Sequence, residues 1–254
     1  MLFFCRFFLM TVIAVCFFSS CVTTPEPRKR EADARMRMGI TYLQQDNIPM
    51  AMRELLQASE LDPNNAEIDM MLGIAYRARG DGKKAEEYLR SAISKNPDYA
   101  DAHNNLGIVL ADRKAWDEAI REFQKAYDNV KYTTPEWAIY NSAEAYFHKG
   151  DKNKAEEQYR YALKVNPAYA PACGGLASLL FEKGQRREAE ETLTRCLKLA
   201  PDYEDGWMRL GVMYVAMKRR TEAIEAFNKV LSLTTDPAVE KEANRYLSVL
   251  GVRK

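Results

Sequence analysis

The 254-residue sequence predicts an all-α protein, a superhelical solenoid of six helix-turn-helix units closed by one more helix. Three observations predict it. A small residue recurs at Gly39, Gly73, Gly107, Ala143, Ala177 and Gly211, at spacings of 34, 34, 36, 34 and 34. A second recurs twelve positions after each, at Ala51, Ala85, Ala119, Ala155, Ala189 and Ala223. Proline closes four of the six units, at Pro63, Pro97, Pro167 and Pro201. Such a fixed period marks stacked units, none of which can bury its apolar face alone.

The units run 32–65, 66–99, 100–133, 136–169, 170–203 and 204–237. Within each, apolar residues recur at helical spacing, as with Met38, Tyr42 and Leu55 in the first. The small residue at the eighth position lets two helices approach closely, and the alanine at the twentieth serves the facing helix in the same way. Gly-Asp turns in "ARGDGKKAEEYL" and "HKGDKNKAEEQY" separate the helices of units two and four. "LDPNN", "KNPDY", "VNPAY" and "APDY" end the second helix, because proline cannot continue it. Between units three and four, "YDNVKYTTPEWAIYNSAEAY" carries a two-residue insertion and lacks the proline expected near Lys131. Pro135 instead starts the next helix, where the first turn tolerates it. The insertion is expected to alter the angle between two three-unit halves. After the sixth unit the amphipathic stretch "AVEKEANRYLSVL", residues 238–250, is expected to cap the stack with a polar outer face.

This pattern resembles the tetratricopeptide repeat, over Ala32 to Pro237. The resemblance implies a right-handed superhelix whose concave wall is made by the first helix of each unit, with inner side chains at positions 2, 5, 6, 9, 12 and 13. It also implies that the fourth position packs. His103, Cys173 and Trp207 fall there, so they are read as structural. Cys196 is at the twenty-seventh position of the same unit as Cys173. Helix axes about 8–10 Å apart hold paired cysteines too far apart to bridge, so two packed free thiols are expected.

Composition excludes several function classes. Lys plus Arg number 37 and Asp plus Glu 36, a net charge of +1, which is no footprint for nucleic acid. Neither CxxC nor a Cys/His cluster is present, so no metal and no other cofactor is expected. The sequence holds no HExxH, Walker A, GxGxxG or nucleophile-elbow motif, and two histidines in all. Its carboxylates alternate with Lys and Arg on helix faces, as in "KKAEEYLR". The expected role is therefore binding to protein, with no catalysis and no small-molecule substrate.

The first residues differ from the rest. "FFLMTVIAVCFF", Phe7 to Phe18, follows Arg6, and is long enough for a signal-peptide core but short for a membrane span. "FSSC", Phe18 to Cys21, resembles the lipobox of bacterial lipoproteins, with Phe18 where leucine is usual. That resemblance implies a signal at 1–20 and a lipid on Cys21 as the only membrane attachment. Residues 21–31, with "VTTPEPRKRE", are expected to form a flexible tether that does not pack, ahead of the repeat domain at 32–254.

The wall positions give a map of a candidate partner groove. Its members are Met36, Ile40, Met70, Ile74 and Arg77 at the amino end, then Asn104, Asn105 and Ile108, then Trp137, Tyr140, Asn141, Glu144 and Phe147. Leu43, His148, Phe181, Met208, Val212 and Val215 extend it. Methionine suits a surface that accepts varied side chains, and asparagine can hold a peptide backbone. The Lys/Asn clamp of chaperone-binding repeats is not supported. Position 5 holds Met36, Met70, Asn104, Tyr140, Gly174 and Met208, and position 9 holds Ile40, Ile74, Ile108, Glu144, Ser178 and Val212.

The lipobox-like start, six repeats after a short tether and the central interruption together resemble the PilF/PilW pilotins of type IV pili. The local likeness is strongest from "NNLGIVL" at Asn104 through "YRYAL" at Leu163. The resemblance implies a lipoprotein on the periplasmic face of the outer membrane. It would assist assembly of the secretin ring or another pilus subunit, with the amino-terminal groove facing the partner. The alternative is a lipid-anchored adaptor similar to NlpI, which brings envelope hydrolases or proteases together.

Overall fold

The computed structural model describes residues 27–252, which form thirteen α-helices with no strand among them. Helices pair in chain order: α1 (Pro27–Gln44) with α2 (Ile48–Leu61), α3 (Ala66–Ala78) with α4 (Gly82–Lys95), α5 (Ala100–Asp112) with α6 (Trp116–Tyr127). Then come α7 (Pro135–Lys149) with α8 (Lys152–Val165), α9 (Ala170–Glu182) with α10 (Arg186–Leu199), and α11 (Glu204–Ala216) with α12 (Arg220–Leu233). The first helices of successive units lie side by side, from α1 through α3, α5, α7 and α9 to α11. The result is a six-unit solenoid with one wall made of first helices. α13 (Pro237–Val249) packs on α12 through buried Ala243 and Leu247, and Tyr246 stacks on Phe227 with ring centroids 4.8 Å apart.

The small residue at the eighth position is a notch that receives the large side chain at the twenty-fourth. A Cβ built on Gly39 or Gly73 would lie 2.6 Å from Cγ of Leu55 or Leu89. On Gly107 it would lie 2.5 Å from Phe123 Cε1, and on Gly211 2.7 Å from Phe227 Cε1. All four large side chains are buried, each contributing about 1.5–3 kcal/mol. The turn inside each unit repeats as well. Asp46, Gly80, Lys114, Gly150, Gly184 and Lys218 share the fifteenth position, and all have positive φ, between 56° and 95°. Asp81 and Asp151 then cap α4 and α8 by accepting from the backbone N–H of Lys84 and Lys154.

In four of the six units the fourth position ties the two helices together, by different chemistry each time, and in unit six Trp207 Nε1 donates to the Pro201 carbonyl ahead of α11 (3.0 Å). In unit one Arg35 reaches Glu54 (3.2 Å), and in unit two Asp69 accepts from Ser91 (2.5 Å) and from Lys95. In unit three His103 Nδ1 lies 2.6 Å from Glu122, with Nε2 2.9 Å from the Pro97 carbonyl. In unit five Cys173 is bonded to Cys196, which overturns the expectation of two free thiols. That expectation compared axis spacing with a Cα–Cα limit. Where two residues face each other across the interface, both helix radii, about 2.3 Å each, come off the axis spacing. The two Cα atoms here are 6.3 Å apart, within bridging range.

Two further departures concern boundaries. α1 begins at Pro27, inside the stretch expected to be an unpacked tether. Proline is tolerated at a first helical turn, and Arg28, Lys29, Arg30 and Glu31 form a polar, exposed turn ahead of buried Ala32. Cys21 and the apolar run before it lie outside the described residues. At the interruption, α6 ends at Tyr127 and α7 begins at Pro135, as the displaced proline suggested. The turn between them copies its neighbours. Tyr132 N–H donates to the Asn129 carbonyl (2.9 Å) as Tyr99 does to Asn96 and Tyr169 to Asn166 (3.1 Å each). Val130 takes the proline's place in this Asn-x-x-Tyr turn and is 97% exposed. Thr133 and Thr134 stand between this turn and α7, whereas α5 and α9 begin directly after Tyr99 and Tyr169.

Candidate functional site

The structure separates the predicted wall residues into two sets. At the amino end, the fifth-position residues Met36, Met70 and Asn104 are buried. Ile40, Ile74 and Ile108 are half-buried against the same amino-terminal core. Arg77 is exposed and pairs with Asp112 of the next unit (2.7 Å). Asn105 donates to the Asp101 carbonyl of its own helix (2.8 Å). Asn104 accepts from Asn141 Nδ2 (3.0 Å), so these two amides bond each other across units three and four. Trp137 is 52% exposed.

At the carboxyl end the same wall opens into a cavity of about 380 Å³. Tyr140, Glu144, Phe147 and His148 reach it from α7, with Tyr159 from α8, Ser178 and Glu182 from α9, Tyr203 from the end of unit five, and Asp205 and Arg209 from α11. Two glycines shape its lining. Positions 5 and 6 of unit five, which carry side chains on the wall elsewhere, are Gly174 and Gly175. A Cβ on Gly175 would lie 2.5 Å from the Tyr159 ring, and one on Gly174 2.6 Å from Tyr203 Oη. The "CGG" triplet is therefore architectural on both counts: its cysteine staples the hairpin and its glycines let aromatic rings reach the wall. A second groove of about 460 Å³ adjoins the cavity through Ser178, Glu182, Asp205 and Arg209, and is floored by Phe181, Met208, Val212 and Met213.

The charges in the cavity are mostly paired. Arg209 donates from Nε to Asp205 (2.6 Å) and from Nη1 to Ser178 Oγ (2.8 Å), while Tyr203 Oη donates to the same Asp205 oxygen (2.8 Å). Burial works against the Arg209 charge, yet Asp205 outweighs it and holds the guanidinium above its ordinary value. Glu182 pairs with Lys152 (2.6 Å). Glu144 is different. It accepts from the Tyr159 hydroxyl, and His148 Nε2 lies 3.9 Å away. No Lys or Arg of the described residues comes within ion-pair distance of it. Tyr140 and Tyr159 are both pushed well above the ordinary tyrosine range, first by burial and then by the Glu144 charge, so both stay neutral.

A tetratricopeptide repeat profile matches residues 36–95, 70–132 and 175–238, and a second one matches 146–195. The chain belongs to the tetratricopeptide repeat family. It is homologous to the type IV pilus assembly protein PilF of Pseudomonas aeruginosa, with 26% identity over 157 residues. That match spans 62% of each chain, so about three fifths of PilF's own length. An uncharacterized protein of Haemophilus influenzae is 29% identical over 127 residues, 49% of this chain and 71% of that one. In fold, the chain resembles Pseudomonas aeruginosa PilF (TM-score 0.70, 20% identity, 86% of this chain and 98% of that one). It resembles PilW, a type IV pilus biogenesis factor, to the same degree (TM-score 0.71, 21%, 83% and 97%). Tetratricopeptide repeat proteins of this kind are interaction scaffolds. Among the described residues no group of three or more His, Cys, Asp or Glu is placed to hold a metal, and no helix is long and apolar enough to cross a membrane.

Sequence reasoning placed Tyr140, Glu144, Phe147 and His148 on the wall but missed Tyr159, Ser178, Tyr203, Asp205 and Arg209 as their partners. The available signal was the pair of glycines at two wall positions of one unit, which leaves room that neighbouring units must fill.

Proposed function

We propose that this protein is a non-catalytic scaffold assisting type IV pilus or secretin assembly, and that it holds a segment of its partner along the concave wall. In this reading a lipid on Cys21 tethers it to the periplasmic face of the outer membrane. The observation that carries the proposal is homology to PilF, supported by a fold that spans nearly the whole of PilF and PilW. The continuous wall of first helices supports the mode of binding. Half-buried Ile40, Ile74 and Ile108 and exposed Trp137 are available to a segment, while buried Met36, Met70 and Asn104 shape the floor beneath them. Deleting the gene should deplete secretin multimers from the outer membrane and abolish surface pili. Cys21→Ser should release the protein into the soluble periplasmic fraction. Normal multimers and pili in the deletion strain would overturn the assembly role. Depletion of an envelope hydrolase from its membrane site instead would favour the NlpI-like adaptor.

A further inference from the structure

We infer that the cavity between units four and six is a subsite for a basic side chain, lysine or arginine, carried by the bound segment next to an apolar residue. The inference rests on the reading above that the concave wall takes a protein segment, and it specifies what that segment carries. Three observations point to it. First, the cavity is built, not incidental: Gly174 and Gly175 let the Tyr203 hydroxyl and the Tyr159 ring reach the wall, where both tyrosines line the cavity. Second, its lining is rich in aromatic rings. Tyr140 lies with its ring centroid 6.1 Å from that of Tyr159, and Phe147 closes the side toward His148 at 5.5 Å. Aromatic faces attract cations, most strongly where water is partly excluded. Third, once the internal pairs are set aside, one carboxylate remains. Asp205 is taken by Arg209 and Glu182 by Lys152, whereas Glu144 faces a phenol and a histidine. A half-buried carboxylate stabilised only by such groups is where an incoming cation gains most. Arg209 lines the same cavity, but its guanidinium is engaged by Asp205 and Ser178 and makes no ion pair with Glu144. The adjoining groove of Phe181, Met208, Val212 and Met213 is apolar and would take the neighbouring side chain of the same segment.

The test uses the protein with residues 27–252 intact and three small probes: acetyl-argininamide, acetyl-lysinamide and the uncharged acetyl-citrullinamide. Binding is followed by NMR at the backbone amides of Tyr140, Glu144 and Ser178. Both cationic probes should produce saturable shifts there, with citrullinamide at least about tenfold weaker. Glu144→Gln, which keeps the Tyr159 hydrogen bond, should weaken the cationic probes by a similar factor while leaving far-UV circular dichroism unchanged. Equal binding of all three probes, or shifts insensitive to Glu144→Gln, would overturn the inference. A phage-displayed library of random twelve-residue peptides gives a second reading. Peptides selected on the wild type should be enriched in Lys or Arg beside an apolar residue, and those selected on Glu144→Gln should not. Equal enrichment on both proteins would also overturn it. These outcomes are independent of the genetic test above. Normal pili with a charge-selective cavity would sink the assembly role alone, and lost pili with an unselective cavity would sink the subsite alone.

Discussion

Substituting Gly107 by alanine tests whether the small residue at the eighth position is required by packing or is merely tolerated. A Cβ there would sit 2.5 Å from Phe123 Cε1, whereas ordinary contact begins at 3.4 Å, so the ring or the helix must give by 3.4 − 2.5 = 0.9 Å. Phe123 cannot retreat into solvent, because it is 1% exposed and enclosed by the amino-terminal core. Overpacking of this kind costs about 1–3 kcal/mol. Against it stands the gain of replacing a mid-helix glycine, about 1 kcal/mol. The net expectation is a loss of about 0–2 kcal/mol. Gly82 supplies the control, since nothing lies within 4 Å of its Cβ position and it opens α4. Gly82→Ala should be neutral or stabilising by up to about 1 kcal/mol. Urea unfolding followed by far-UV circular dichroism measures both, with midpoints compared because a solenoid need not unfold in one step. The two variants should differ by up to roughly 3 kcal/mol, with Gly107→Ala the less stable. A Gly107→Ala protein as stable as Gly82→Ala would refute the notch and leave chain composition as the reason for the glycine.

Other expectations follow from single features. The bond between Cys173 and Cys196, 23 residues apart, closes a loop worth about 3 kcal/mol of unfolded-state entropy. Cys173→Ala with Cys196→Ala should lower the urea midpoint accordingly, and thiol titration of the denatured, unreduced wild type should find neither cysteine. Glu122 raises the His103 pKa above the ordinary 6.5, so that stabilisation is full below 6.5 and lost as pH climbs through the raised value. The Glu122 pKa is lowered: burial opposes its charge, but His103 and Lys125 outweigh it, so its contribution is present above 4.5 and lost as pH falls through the lowered value. The stability difference between wild type and His103→Gln should therefore be largest between pH 4.5 and 6.5 and shrink above, as read from unfolding midpoints across pH. Lys218 holds a φ of 61° where units two, four and five have glycine. Lys218→Gly should stabilise by about 0.5–1 kcal/mol, and Gly150→Ala should cost about 1–2 kcal/mol, in the same assay.

The repeat was legible because its markers are steric and recur at one period. A glycine that must admit a phenylalanine, and a proline that cannot continue a helix, leave the same trace in every unit. Features that occur once left weaker traces. The disulfide was missed because axis spacing stood in for the distance between two facing Cα atoms. The start of α1 was missed because charge and proline were taken as signs of a tether, although Pro27 is compatible with a first turn. The wall was legible in register but not in depth. Position 5 was expected to face a partner, yet in units one to three Met36, Met70 and Asn104 are buried, Asn104 against Asn141 of the next unit. Beside unit five, whose positions 5 and 6 have no side chains, the wall has a cavity.

That contrast gives the central interruption its meaning. The Asn129–Tyr132 turn is kept, with Asn129 also donating to the Asp98 carbonyl of the preceding turn (2.7 Å). Tyr132 is buried in a small cluster with Ala100, Ala126 and Ala138. Thr133 and Thr134 then delay the entry of α7. The larger core divides at this point, one cluster running from Ala32 to Ala145 and the other from Ile139 to Leu247, with Tyr146 touching both. On the inner wall the division falls within α7: Asn141 turns back to Asn104 while Tyr140 turns forward to Tyr159 and Tyr169. Glu144, one turn further on, enters the cavity beside Tyr140. α7 is thus the last element of a filled wall and the first of an open one. A segment lying along the whole wall would meet Ile40, Ile74 and Ile108 with Arg77 and Asn105 beside them over units one to three, and a polar, aromatic recess beyond. Its anchoring side chain is therefore expected in the part that crosses units four to six.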